Sequence, residues 1–201
     1  MKTAVILPLT LIVGLACVVM TTAASGNDDF KPCSEPVDRD PDKGIAGCDA
    51  LIENKKNDVP TIAFAYMHRG KWRSDKKEWA EAYKDLDQAI KLQRSLAFYL
   101  TKAEVQSAQG DDVAAIATYG EALARLPRGT QYPQVHSGRG EALLRAGQKE
   151  LAIADFKRFY EIYPNDLRAW EKLKALGVDA GPAPPPPPVT GEGYEDWGED
   201  D

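Results

Sequence analysis

"GQKELAIADFKRFYEIYP" spans residues 147–164, and "GDDVAAIATYGEALARLP" spans residues 110–127. Both open on Gly, place Ala sixth and an aromatic ring tenth, and close on Pro. In the first phrase Leu151, Ile153, Ala154, Phe156, Phe159, Tyr160 and Ile162 recur at three- and four-residue spacings. Lys149, Asp155 and Lys157 are interleaved, so the spacing predicts an amphipathic helix with these three on its polar face. Gly110-Asp111-Asp112 joins a turn residue to good N-caps, and Pro127 and Pro164 stop the helices that precede them.

The phrase belongs to a longer unit written three times, over 65–94, 98–127 and 135–164. A small residue stands at Gly70, Ala103 and Gly140, and Ala82, Ala115 and Ala152 recur in the second half. Four residues later come Leu86, Tyr119 and Phe156, then Ala89, Ala122 and Phe159, and the unit closes on Arg94, Pro127 and Pro164. The alanines lie 33 and 37 residues apart, a period that predicts a solenoid of helical hairpins. Small residues where two helices cross let the backbones approach, and a bulky residue one turn on fills the space beside them.

This pattern resembles the tetratricopeptide repeat family over residues 60–165. The resemblance implies an all-α superhelical solenoid of three helix-turn-helix hairpins. Two departures bear on hairpin packing: the family's Leu before the small residue is Arg69, Lys102 and Arg139, and its later Tyr is Arg73, Gln106 and Leu143. Partial capping helices are expected on both flanks, where a solenoid must cover its exposed core. One lies in 42–56, with Ile45, Cys48, Leu51 and Ile52 on one face, and the other in 165–177, with Leu167, Trp170, Leu173 and Leu176 at helical spacing. Residues 60–178 are thus the repeat domain, with "RGTQYPQ" (128–134) as a wider joint between the second and third units.

The ends read differently. Lys2 precedes an apolar run from Ala4 to Met20 and the small residues Thr22-Ala23-Ala24, the layout of a signal peptide over 1–24. Pro8 and Gly14 interrupt the run, which is shorter than the ~20 residues a membrane span needs. Export, to a bacterial periplasm, is the expectation, with lipid anchoring through Cys17 as an alternative that its flanking residues fit poorly. Beyond that leader two cysteines remain, Cys33 and Cys48 in the 25–59 segment, and an even count in an exported chain predicts a disulfide. Closing such a loop stabilises by up to about 3 kcal/mol in the chain-entropy account. Pro36 and Pro41 inside the loop predict a non-helical connection.

At the other end, Pro182 and Pro184–Pro188 predict an extended spacer in a disordered tail, 179–201. Glu192, Glu195, Asp196, Glu199, Asp200 and Asp201 follow with no basic residue among them. Beyond residue 24 the chain has 24 basic and 31 acidic residues, net −7, and without these six it is −1. A body so nearly neutral offers nothing to nucleic acid. Tyr194 and Trp197 among the acids form a candidate linear motif.

No catalytic constellation stands out. The only histidines, His68 and His136, sit in different units, and no nucleophile motif, phosphate loop, metal-ligand spacing or cofactor signature occurs. Asp85 and Lys91 read as members of a solvated charged face. The resemblance instead implies a groove lined by the first helices, taking a protein or peptide partner. Its groove positions fall on Phe64, Met67, His68 and Lys71, on Leu100, Thr101 and Glu104, and on Ser137, Glu141 and Arg145. Where relatives clamp a C-terminal carboxylate, Met67, Lys71, Thr101 and Gly138 stand here, which disfavours that ligand. The expected function is a non-enzymatic adaptor of the cell envelope, or alternatively a structural subunit or assembly factor of an outer-membrane or secretion complex.

Overall fold

A computed structural model describes residues 30–126 and 131–185. The leader with Cys17, the closing Pro127, most of the proline run and the Tyr194–Trp197 motif lie outside these residues. Within them the chain is helical throughout: α1 (Lys31–Ser34), α2 (Pro41–Glu53), α3 (Val59–Asp75), α4 (Trp79–Leu92), α5 (Leu96–Gln109), α6 (Asp112–Ala124), α7 (Pro133–Arg145), α8 (Lys149–Ile162) and α9 (Leu167–Ala175). Helices α3–α4, α5–α6 and α7–α8 pair as three hairpins, each packed on the next, with α2 before and α9 behind.

The helix starts follow local chemistry. Asp40, Asp58, Asp111 and Asp166 each accept hydrogen bonds from backbone N–H groups of the following first turn, satisfying donors that a helix cannot pair internally. Gly110 and Gly147 close α5 and α7 in the left-handed region, at φ +88° and +74°. Tyr163 leaves helical geometry immediately before Pro164, as a residue preceding proline does.

The core runs along the chain as a series of clusters, each bridging neighbours. Met67, Ala82, Leu86 and Ala89 join Phe98 and Val105 of the second hairpin, while Tyr99, Ala103, Ala115 and Tyr119 join Val135 and Ala142 of the third. Phe156 and Leu143 meet Leu173 of the cap. The small residues sit at the helix crossings. A Cβ on Gly70 would lie 2.9 Å from Leu86 Cγ, and one on Gly140 would lie 3.0 Å from the Phe156 ring.

Cys33 and Cys48 are bonded and fully buried. The loop they close is more helical than its prolines suggest, because it holds the end of α1, a short 3-10 turn and the larger part of α2, with Pro41 at that helix's first turn, where a missing N–H costs nothing. Trp72 of α3 donates its indole N–H to the Cys33 carbonyl at 2.6 Å, and a Cβ on Gly44 would lie 2.6–2.7 Å from that indole. The disulfide, the indole and the bare Gly44 thus pin the N-terminal cap to the first hairpin.

At the opposite end the chain folds back beyond residue 178. Val178 and Ala180 pack against the last core cluster, and Trp170 donates its indole N–H to the Gly181 carbonyl at 3.1 Å. Ordered packing therefore extends into the segment that the sequence assigns to the tail.

Two charged residues are placed quite differently from the sequence expectation. Asp85 and Asp155, expected on solvated faces, are 3% and 4% exposed. Asp85 does not face Lys91. It accepts from Arg69 Nε and Nη2 at 2.9 and 2.7 Å and from Arg73 Nη1 at 2.7 Å. Arg69 also donates to Asp49 of α2 at 2.5 Å. Asp155 accepts from Arg139 Nε and Nη2, both at 2.7 Å, and faces His136 Nδ1 at 2.9 Å. Three of the six residues that depart from the family pattern, Arg69, Arg73 and Arg139, are therefore partners of these buried carboxylates, and they replace apolar packing with charge-assisted hydrogen bonding across the hairpin.

Candidate functional site

The first helices touch in order, α3 on α5 and α5 on α7, and so share one inner face. Of the ten residues expected to line it, Met67 departs most clearly. It is 8% exposed and belongs to the core between the first two hairpins, because α5 closes over it with Phe98 and Val105. Leu100 is half-buried against the second cluster. Thr101 turns its hydroxyl back to the Ala97 carbonyl at 3.0 Å.

The remaining residues fall into two groups. Toward the N-terminal end Phe64 stays 37% exposed, and its ring lies 4.3 Å from the His68 imidazole. Phe30, from the disulfide-pinned segment, meets Phe64 edge-on at 5.8 Å. Burial and then the Lys71 charge push the His68 pKa down to about 4, so its ring is neutral at neutral pH. Lys71 is exposed and makes no ion pair with a described residue. Glu104 keeps contact with water yet sits among enough protein for burial to raise its carboxyl, an effect Lys71 partly offsets. Asp75 is raised and offset in the same way.

Toward the C-terminal end the charged groups are engaged. Arg145 donates to Asp112 of α6, with Nε at 2.9 Å and Nη2 at 2.7 Å. Glu141 pairs with Lys172 of the cap at 2.6 Å. Ser137 is half-buried on the same helix. Between the two groups stands Tyr119, whose phenol lies so close to α7 that a Cβ on Gly138 would be 2.4 Å from its oxygen. Burial and then the Glu104 charge push its phenol pKa up from the ordinary value, with Arg145 opposing. The structure thus brings Phe64 and His68 together, sets Lys71 within electrostatic reach of His68 and Glu104, and ties Glu141 and Arg145 to other elements.

Sequence reasoning missed Phe30, Asp75, Tyr119 and Ser107 at this face. Ser107 stands one turn beyond Glu104 on α5, in register with Ser74, so extending the groove positions by one helical turn finds it. Phe30 has no such signal, since only the disulfide geometry brings it near. Among the described residues no group of three His, Cys, Asp or Glu side chains could hold a metal ion.

With this geometry in place the comparisons fall into line. Residues 138–166 match the tetratricopeptide repeat family. No curated protein sequence matches the chain. Among solved structures, the N-terminal domain of stress-induced protein-1 (STI-1) from C. elegans is 22% identical, covering 60% of this chain and 98% of that one, with a TM-score of 0.53. MamA is 20% identical over 70% of this chain and 78% of its own, with a TM-score of 0.57. The first TPR of Spaghetti (RPAP3), bound to the HSP90 peptide SRMEEVD, is 21% identical over 57% of this chain and 90% of its own, with a TM-score of 0.51. Residues 138–166 thus carry a tetratricopeptide repeat, and the described residues have the fold of such repeat proteins, an all-α solenoid of three hairpins with a helix at each flank.

Proposed function

We propose that this protein is a non-catalytic interaction scaffold of the cell envelope that holds an extended segment of a partner protein along the face shared by α3, α5 and α7. The observation that carries the proposal is the state of that face. Its side chains are partly desolvated and partly open. His68 Nε2 and Ser107 Oγ are buried without any hydrogen-bond partner, a condition native proteins rarely leave uncompensated. That a structure of similar fold holds a peptide supports the same use here.

Export is supported by the leader-like start and by the buried Cys33–Cys48 bond, since oxidising compartments let such bonds form and persist. None of the described helices is long and apolar enough to cross a membrane.

The test is affinity capture from envelope extracts with the full chain, a chain lacking residues 182–201, and a Phe64→Glu, Leu100→Glu double variant. Phe64 and Leu100 are changed rather than Met67, because Met67 belongs to the core between the first two hairpins. Partners that survive the truncation but are lost in the double variant, with helical circular dichroism unchanged, place binding on the inner face. Partners lost on truncation alone make the acidic tail the recognition element.

A further inference from the structure

The two ends of the solenoid are closed by different means. The N-terminal cap is held by a covalent bond, an indole hydrogen bond and a close glycine contact, whereas the C-terminal cap has no cysteine and depends on noncovalent contact alone. Helix α9 is nine residues long and fully buries only Ala169 and Leu173, and a helix of that length is marginal in water without packing partners. It needs a cover.

The chain supplies one by turning back. The N–H groups of Gly177 and Val178 donate to the Lys174 and Leu173 carbonyls, both at 3.0 Å, which closes α9 and reverses the chain at Gly177, φ +80°. Val178 and Ala180 then pack on the cluster of Leu143, Phe156 and Leu173. Asp179 Oδ1 accepts from the Gly181 N–H at 3.0 Å, and the Gly181 carbonyl accepts from the Trp170 indole at 3.1 Å. Lys174 Nζ stands 4.5 Å from the centroid of the Trp170 ring, a cation–π contact that steadies the donor. The fastening is nonetheless light. A cleft of about 360 Å³ is lined by Trp170, Lys174 and residues 177–181, and Gly181, Pro182, Ala183 and Pro185 stay exposed.

What this segment holds reaches the inner face. Lys172 of α9 pairs with Glu141 of α7 at 2.6 Å, and Leu143 of α7 is buried in the cluster that Leu173 completes. We propose that residues 178–181 are a releasable strap that keeps α9 folded and, through Lys172 and Leu173, fixes the C-terminal end of the inner face. Release frees Glu141 from Lys172 and uncovers Leu143, so the segment leading into the acidic tail controls how much of α7 a partner meets. That consequence for a partner rests on the reading of the inner face as a binding surface; the strap itself does not.

The test is hydrogen exchange on the full chain, on its Trp170→Phe and Val178→Asp variants, and on a chain ending at Pro185. Trp170→Phe keeps an aromatic ring and removes the indole donor, so exchange in α9 and in residues 141–145 should quicken by roughly fivefold, the scale of one net hydrogen bond. Val178→Asp puts a charge against the apolar cluster and should quicken the same amides roughly tenfold or more. Helices α3–α6 should be unchanged in both, and the chain ending at Pro185 should exchange like the full chain. Unchanged α9 exchange in both variants overturns the proposal, and acceleration confined to α9 removes its link to the inner face. Equal acceleration in every helix would make the effect global rather than a strap's, and a chain ending at Pro185 that behaves like Val178→Asp would place the hold elsewhere; either result also overturns it. The binding reading falls separately, on partner capture that survives Phe64→Glu with Leu100→Glu.

Discussion

The first and third hairpins are closed by charge, whereas the second is closed without it. Asp85 and Asp155 occupy the same place in their units, one residue before Leu86 and Phe156, and each takes a forked pair of hydrogen bonds from the arginine preceding the small residue. In the second hairpin that place is Thr118, 7% exposed, and the arginine's place is Lys102, which reaches outward to Asp87 at 2.6 Å. The pairing of types is therefore consistent within each hairpin: acid with arginine, or hydroxyl with a lysine that leaves. A buried carboxylate is tolerable only where a forked partner answers it, and a buried threonine asks for none.

Removing the carboxylate from the first hairpin should have the largest effect. Asp85→Ala leaves Arg69 and Arg73 facing an apolar interior, and breaking a buried pair of this kind costs about 3–5 kcal/mol. Arg69 keeps Asp49, so the lower part of that range is expected in urea denaturation. Replacing the charged set together, with Asp85→Thr, Arg69→Leu and Arg73→Leu, should recover most of the loss, because the family pattern is apolar at both arginine positions. A triple variant as unstable as Asp85→Ala would mean that the charges themselves organise the hairpin and that the second hairpin is not a fair guide to the first.

Acid should sharpen the same comparison from the third hairpin. Burial alone would raise the Asp155 carboxyl, but hydrogen bonds from Arg139 and His136, with their charges, overcome it and hold the group below 3.8. A carboxyl lowered by folding contributes stability that is complete above its unfolded pKa and disappears as pH falls through its folded one. The stability difference between wild type and Asp155→Asn should therefore be widest near neutrality and shrink below about pH 4. Thr118→Val in the second hairpin, measured alongside, should show no such dependence. A pH-independent gap for Asp155→Asn would remove the ionised carboxylate from the account of hairpin closure.

The sequence announced the architecture more fully than the surface. Gly70, Ala103 and Gly140 against Leu86, Tyr119 and Phe156 are a short-range pattern that geometry must honour wherever two helices cross, and all six are found at such crossings. Asp85 and Asp155 were illegible by periodicity alone, because a carboxylate in a helix reads as solvent-facing until its arginine, 16 residues earlier on another helix, is considered with it. The repeated spacing from Arg69 to Asp85 and from Arg139 to Asp155 was the available signal. Met67 was misread for a related reason. A helix position transferred from a family carries no information about how closely the next helix packs, and here Phe98 and Val105 cover it. Phe30 depended on a disulfide that folds the preceding chain onto α3, a long-range constraint that no local pattern encodes.

The smallest effect concerns the turns between paired helices, where the first hairpin is the odd one out. Lys77 stands in register with Gly110 and Gly147, five residues before the alanines that define the units, and all three adopt positive φ, +61°, +88° and +74°. For an L-residue with a side chain that conformation costs about 1–2 kcal/mol, which glycine avoids. Glycine in turn gives the unfolded chain more freedom, worth about 0.4–1 kcal/mol against folding. Lys77→Gly should therefore stabilise by something like 0.5–1 kcal/mol, the difference between those two effects, read as a higher urea midpoint at unchanged slope. Gly110→Ala should move the midpoint the other way by a similar amount. If Lys77→Gly lowered the midpoint instead, the side chain at 77 would be contributing more than its backbone strain removes, and the first turn would differ from the others in kind rather than in residue choice.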